Sequence, residues 1–265
     1  MTATSVAKTR TNVFFAFALA IIMAVSVTGC ASSQNPNAGY KAEINDPIEP
    51  VNRAIFAVNN VFDRFLFEPV AKIYDAVFPG FVKDSIQSFM RNLRSPIIVA
   101  NNLLQGDFGD AGVATARFLI NSTVGVAGLV DVAATLGLMY EDEDFGQTLA
   151  VWGLGDGMYV VLPLLGPSSL RDAGGKVADL AVDPLFIWQN NTHNEWVYIT
   201  RGAVEAIDNR ARAIKAIEDL RKNSLDYYAA VRSAYSQRRA ALIRDEASQN
   251  GYAGAMAMPN YDEEY

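Results

Sequence analysis

The chain has 265 residues, 51% of them hydrophobic and 19% charged, enough apolar side chains to build a core and too few charges for a disordered polyelectrolyte. Its 22 basic and 29 acidic side chains give a net charge of -7, which works against neutralising a phosphate backbone and argues against nucleic-acid binding. With one Cys and one His, neither an intrachain disulfide nor a zinc cage made of those residue types can form.

Lys8 and Arg10 precede an uncharged run from Val13 to Val27, the charged and apolar regions of an export signal. That run is short of the ~20 residues a helix needs to cross a bilayer. Val27-Thr28-Gly29-Cys30 resembles a bacterial lipobox. Residues 1–29 are therefore expected to be a lipoprotein signal peptide, with Cys30 the acceptor of S-diacylglycerol and an N-acyl chain. A free cysteine more commonly behaves as a small buried hydrophobe, but its place directly after the apolar run favours acylation. Each buried CH₂ of the acyl chains contributes ~0.8 kcal/mol, so such an anchor holds firmly. Ala31 and Ser32 stand where many inner-membrane lipoproteins carry Asp, which points to outer-membrane sorting.

Residues 30–44 are rich in Ser, Gln, Asn, Pro and Gly and read as a lipidated tether, 45–247 as one domain, and 248–265 as a tail. In the domain, Val51, Ala54, Ile55, Val58, Phe62, Phe65 and Leu66 recur at helical spacing, with Asn52, Asn59, Asp63 and Arg64 on the other side. Glu68-Pro69 is expected to end this helix, and Pro79-Gly80 a second one. A third should start at Asp84 or Ser85 and break at Ser95-Pro96, resuming from Ile97 to Leu104. Ala111 to Asn121 and Leu129 to Leu138 also fit helices, and Val204 to about Ala247 fits one or two long ones with charged faces.

Thr148–Trp152 and Met158–Leu162 are β-rich and flank Gly153-Leu154-Gly155-Asp156-Gly157, which predicts a small hairpin turning at Gly155, Asp156 and Gly157. A nearly uncharged two-stranded ribbon needs a cover of lipid, protein or core. Candidate chemistry is sparse. His193 lies in a polar loop, and no Gly-x-Ser-x-Gly elbow accompanies it. Glu141-Asp142-Glu143-Asp144 lacks the spacing of an EF-hand, Asp107 and Asp110 read as helix caps, and the Gly153, Gly155, Gly157 series lacks the frame of a phosphate loop. Helices this short, apolar and proline-stopped suit either an ordinary helical core or a position in the headgroup plane of a membrane.

Four blocks carry a resemblance. Asn45-Asp46-Pro47-Ile48-Glu49-Pro50-Val51-Asn52-Arg53 opens the series, and Asn92-Leu93 with Ser95-Pro96 and Asn101-Asn102-Leu103-Leu104-Gln105-Gly106 follows. Then come Arg117–Gly125 with Gly128–Ala133, and Asp144–Leu149 with Leu162-Pro163, Gly166–Asp172 and Asp183-Pro184. In content and order these resemble the MlaA (VacJ) family of outer-membrane phospholipid-transport lipoproteins. The resemblance implies an all-α, ring-like assembly of short amphipathic helices lying in one membrane leaflet, with a small β-hairpin and no enzymatic activity. It further implies a polar channel that extracts glycerophospholipids from the outer leaflet. Its implied partners are a trimeric outer-membrane porin and a periplasmic lipid carrier linked to an inner-membrane ATP-driven complex.

On this reading Asn52, Asn59, Asp63 and Arg64 line the channel, and Gly155, Asp156 and Gly157 form a mobile element beside it. The competing expectations are a non-transporting scaffold lipoprotein that docks through the charged helix after Val204, and an envelope hydrolase that depends on His193 or an acidic pair.

Overall fold

The computed structural model describes residues 44–244. The expected signal peptide, the acceptor Cys30, most of the tether and the tail fall outside the described residues.

Helix α1, Glu49–Phe62, starts with an acidic residue and a proline in its first turn, where neither an extra charge nor a missing N–H is unfavourable. The expected stop at Glu68-Pro69 does not occur. A π-helical segment, Asp63–Phe67, leads directly into α2, Glu68–Val77, and the Glu68 N–H donates to the Asp63 carbonyl five residues back. Pro69 then lies in the first turn of α2, where its missing donor is tolerated. The next expected stop does occur: Phe78 is extended ahead of Pro79, which caps α3.

Helix α3, Gly80–Gln105, begins before the anticipated Asp84 or Ser85 and runs through Pro96 without interruption. Buried Asn92, Ser95, Ile97 and Ile98 show how firmly this stretch is packed, and the Ser95 hydroxyl donates to the Arg91 carbonyl just before the proline. Tertiary packing holds what local preference alone would break. Gly106, at φ 83°, ends the helix in the left-handed region.

Asp107 caps α4, Phe108–Thr123, by accepting from the Asp110 N–H at 3.0 Å. Asp131 caps α5, a single turn at Val132–Thr135, much shorter than the expected Leu129–Leu138 helix.

The hairpin is real but displaced. Thr148–Val151, expected as a strand, lies in helix α6, Phe145–Val151, because the Asp144 carboxylate accepts from the Gln147 N–H and starts a helix there. The two strands are β1, Tyr159–Leu162, and β2, Gly166–Ser169, antiparallel with Tyr159 opposite Ser169 and Leu162 opposite Gly166. Gly155, Asp156 and Gly157 therefore belong to the link from α6 to β1, and the turn is made by residues 163–165, with Leu164 at φ 62°.

Ser169 caps α7, Leu170–Val182, and Asp183 caps α8, Pro184–Thr192. Three helices then replace the expected one or two: α9 Glu195–Arg212, α10 Ile214–Asn223 and α11 Tyr227–Ile243.

Two asparagines of α1 dock β1. Asn52 is buried; its Nδ2 donates to the Tyr159 carbonyl and its Oδ1 accepts from the Val161 N–H, both at 2.9 Å. Seven residues on, on the same helix face, Asn59 repeats the pattern with the Leu162 carbonyl and the Leu164 N–H. Each amide thus serves as a short stretch of neighbouring strand. Around this joint Tyr159, Val161 and Tyr228 form the buried apolar cluster, flanked by Ile55, Phe56 and Tyr235. Asn52→Ala removes both partners of one strand segment and should lower stability by about 2–4 kcal/mol, with Asn59→Ala losing less because its site is partly solvated. Chemical unfolding in detergent micelles measures both.

Helices α6 and α7 meet at glycines. A Cβ on Gly175 would lie 2.4 Å from the Gly146 backbone nitrogen, so only glycine permits this approach. Gly175→Ala is expected to destabilise by on the order of 3 kcal/mol in the same unfolding measurement.

Candidate lipid-contact surface and polar interior

The distribution of side chains is inverted. Among the described residues ten hydrophobic side chains are buried against nineteen polar or charged ones, whereas Val, Leu, Ile, Phe and Trp crowd the exposed set. In water-soluble domains the buried set is mostly apolar. The longest exposed stripe follows α1, the π segment and α2 through Val51, Val58, Phe62, Phe65, Ile73 and Val77, spaced at helical periodicity on one side. Phe65 is 80% exposed. Single exposed apolar residues are unremarkable, but a continuous face of this kind marks a contact with lipid or protein. No described helix is long and apolar enough to cross a membrane.

Opposite that face, charges are matched. Arg239 of α11 holds Asp144 through two hydrogen bonds at 2.6 and 2.7 Å, and reaches Asp172 of α7 at 2.8 Å. Tyr235 donates to the same Asp172 at 2.5 Å. Gly146 makes room, since a Cβ there would sit 2.6 Å from the Arg239 Nη2 and 2.7 Å from the Asp172 Oδ1. A second cluster joins Asp46 to Arg232 and Tyr228, and a third joins Asp63 and Glu68 to Arg210 and Arg221. A fourth ties Arg117 to Asp131 and to the Leu138 carbonyl. Ion pairs at this depth are tolerable only when both charges and the remaining protons find partners.

Burial would raise the Asp144 carboxyl, but the Arg239 guanidinium overrides it and holds it below the usual carboxylate range. Burial likewise loses to Tyr228 and Arg232 at Asp46, and to Arg117 and Asn121 at Asp131. Arg53 holds Asp226 at about 2. Asp179 is the exception, raised mainly by burial.

The sequence candidates are used differently from one another. The amides of Asn52 and Asn59 are bound to β1, Asp63 accepts from Arg210 and Arg221, and Arg64 is exposed on the other side, so the four do not share one surface. In the α6–β1 link, Asp156 pairs with Arg171 at 2.6 Å, and the Leu154 carbonyl accepts from the same guanidinium. His193 is exposed at the end of α8, at φ 56°. The acidic run is divided among partners, with Asp142 on Arg94, Asp144 on Arg239 and Glu143 on Gln105.

Sequence reasoning missed the polar group centred on Arg94 of α3. Arg94 pairs with Asp142 at 2.9 Å, and both side chains remain about one-third exposed, at 30% and 34%. The charges of Asp144 and of Glu205 on α9 also bear on it. Lys176 of α7 is exposed, yet loss of hydration holds its ammonium below the ordinary lysine range against the opposing pull of Asp144 and Asp172. Arg94 of α3, Asp142 and Lys176 of α7 thus form a partly exposed group of charges that act on one another. Nothing in the local sequence marks Arg94 or Lys176, because their neighbours are distant in the chain.

Carboxylates held low stabilise the fold above their ordinary values and cease to do so as pH falls through the depressed ones. Asp46, Glu68, Asp131, Asp144 and Asp226 act in this sense and Asp179 in the opposite one. The protein should therefore keep its helicity at pH 5 and lose stability from about pH 4 toward about pH 2, as followed by circular dichroism in micelles.

The profile of the MlaA lipoprotein family matches residues 44–242. A Shigella flexneri protein named intermembrane phospholipid transport system lipoprotein MlaA is 35% identical over 217 residues, 80% of this chain and 82% of that protein. A Haemophilus influenzae protein of the same name is 32% identical over 230 residues, 85% and 89% of the two chains. An uncharacterised Rickettsia prowazekii protein is 36% identical over 203 residues, 76% and 79% of the two. A solved structure reported as "Structural basis for maintenance of bacterial outer membrane lipid asymmetry" superposes with a TM-score of 0.67 at 35% identity, covering 75% of this chain and 98% of the other. With its mostly helical fold and small antiparallel hairpin, this chain belongs to the MlaA lipoprotein family.

Proposed function

We propose that this protein is an outer-membrane lipoprotein that withdraws mislocalised glycerophospholipids from the outer leaflet and passes them to a periplasmic carrier, preserving lipid asymmetry. The carrying observation is the inverted burial: polar groups inside, an apolar face outside, and among the described residues no helix fit to cross a bilayer. That combination suits a body lying within one leaflet, its helices along the membrane plane. Family membership and the names of the relatives support the same reading.

In this reading Cys30 carries the acyl anchor, a trimeric porin serves as scaffold, and the carrier connects to an ATP-driven inner-membrane complex. The polar passage runs through the space around Arg94, Asp142 and Lys176 and not along the first helix, whose asparagines are bound to β1. A headgroup moving there stays hydrated and near fixed charges while its tails follow hydrocarbon, avoiding the large penalty for burying a charge in an apolar layer. A passive passage supplies no direction of its own, so net flow follows the affinity of the carrier.

The test is complementation of a deletion strain, scored as glycerophospholipid at the cell surface. The wild-type gene should restore the low level. Lys176→Leu, at an exposed position without a hydrogen bond among the described residues, should change stability by less than about 1 kcal/mol and still leave surface phospholipid raised. Full complementation by Lys176→Leu would remove that residue from the passage, and failure of the wild-type gene would sink the functional reading itself.

A further inference from the structure

The link between α4 and α5 combines features that water does not require. Residues Val124–Val130 contain no charged side chain, and Val124, Val126 and Val130 are each more than half exposed, with Leu129 beside them at 42%. The segment is irregular, yet six of its seven backbone N–H groups donate within the chain. Val124 and Gly125 both donate to the Ile120 carbonyl, Ala127 to Ser122, Gly128 to Asn121, Leu129 to Val126 and Val130 to Gly125.

The closure is made under strain. Val126 and Ala127 stand at φ 54° and 57°, in the left-handed region that β-branched residues rarely enter, and Gly128 follows at φ 91°. This bend returns the Ala127 and Gly128 N–H groups to carbonyls of the last turn of α4. The base is fixed from below. The Asn121 side chain donates to Asp131 and accepts from the Ala133 N–H, Arg117 holds Asp131, and Gly128 lies so close to Asn92 that a Cβ would fall 2.6 Å from the Asn92 Cβ.

Each possible environment makes a different demand. Water would satisfy open N–H groups without strain, and a protein partner could meet them with its own carbonyls. Hydrocarbon supplies no acceptor, so a segment placed there must close its own bonds and show only apolar side chains. We propose that Val124–Val130 is a rigid tip whose side chains enter the acyl region at its boundary with the headgroups, a second lipid contact separate from the α1–α2 stripe. This rests on the leaflet-seated reading above.

The experiment uses the full-length acylated protein in phosphatidylethanolamine–phosphatidylglycerol vesicles. An environment-sensitive fluorophore is attached at Val124→Cys, at Leu129→Cys, or at Phe65→Cys on the stripe as reference. Brominated acyl chains and aqueous iodide serve as quenchers. Blue-shifted emission at 124 and 129, quenched by bromolipid to the same extent as at 65 and little by iodide, is the expected result. Iodide quenching at the tip with bromolipid quenching at 65 would overturn the tip while leaving the seating intact. Iodide quenching at all three sites would overturn both. Blue-shifted emission at the tip that neither quencher reaches would show a protein cover and also overturn the proposal. If Val124→Cys fails to keep native helicity, Leu129→Cys carries the test.

Discussion

The structure depends on one constraint: a charge turned inward must find a partner turned inward, most often an opposite charge. Arg239 shows how this works. It joins Asp144, which starts α6, to Asp172 in the first turn of α7, so one guanidinium ties three helices together. Asp63 and Glu68 play the reciprocal role, anchoring the π segment and α2 to Arg210 of α9 and Arg221 of α10. Such pairs add little net stability over apolar packing, but breaking one leaves an uncompensated charge. With apolar residues committed to the outside, geometry inside is set by directional bonds more than by jigsaw packing.

The same economy governs the hairpin. Two four-residue strands have little intrinsic stability. Here the free edge of β1 is covered by Asn52 and Asn59, whose amides offer a donor and an acceptor at strand-like spacing. The edge is thereby closed without a third strand. This explains why polar residues recur on the inner side of an otherwise apolar helix.

Much of the helical order is legible in the sequence, because caps and stops act locally. Asp107 serves as the helix cap and Pro79 as the stop that their residue types predict. Pro69 and Pro96 predict stops that do not occur, since a π turn accommodates the first and packing around Asn92 and Ile97 overrides the second. Thr148-Leu149-Ala150-Val151 has strand-like composition, but the Asp144 cap decides for helix. Helical spacing puts the first-helix residues on a common polar side, and three of them do face inward, yet the partners that tie Asn52 and Asn59 to β1 and Asp63 to α9 lie a hundred or more positions away. The Arg94 group was invisible for the same reason, as its members come from α3, the segment before α6, and α7 and α9.

The π segment has one more effect. By accommodating Pro69 without a break, it lets residues 49–77 run as one rod, roughly 40 Å long at 1.5 Å per residue. That exceeds the ~30 Å of hydrocarbon in a bilayer, and only one flank of the rod is greasy. Such a rod has no favourable upright orientation. Seated as proposed above, it would lie lengthwise in the membrane plane, like a half-sunk log, and set the tilt of the elements joined to it.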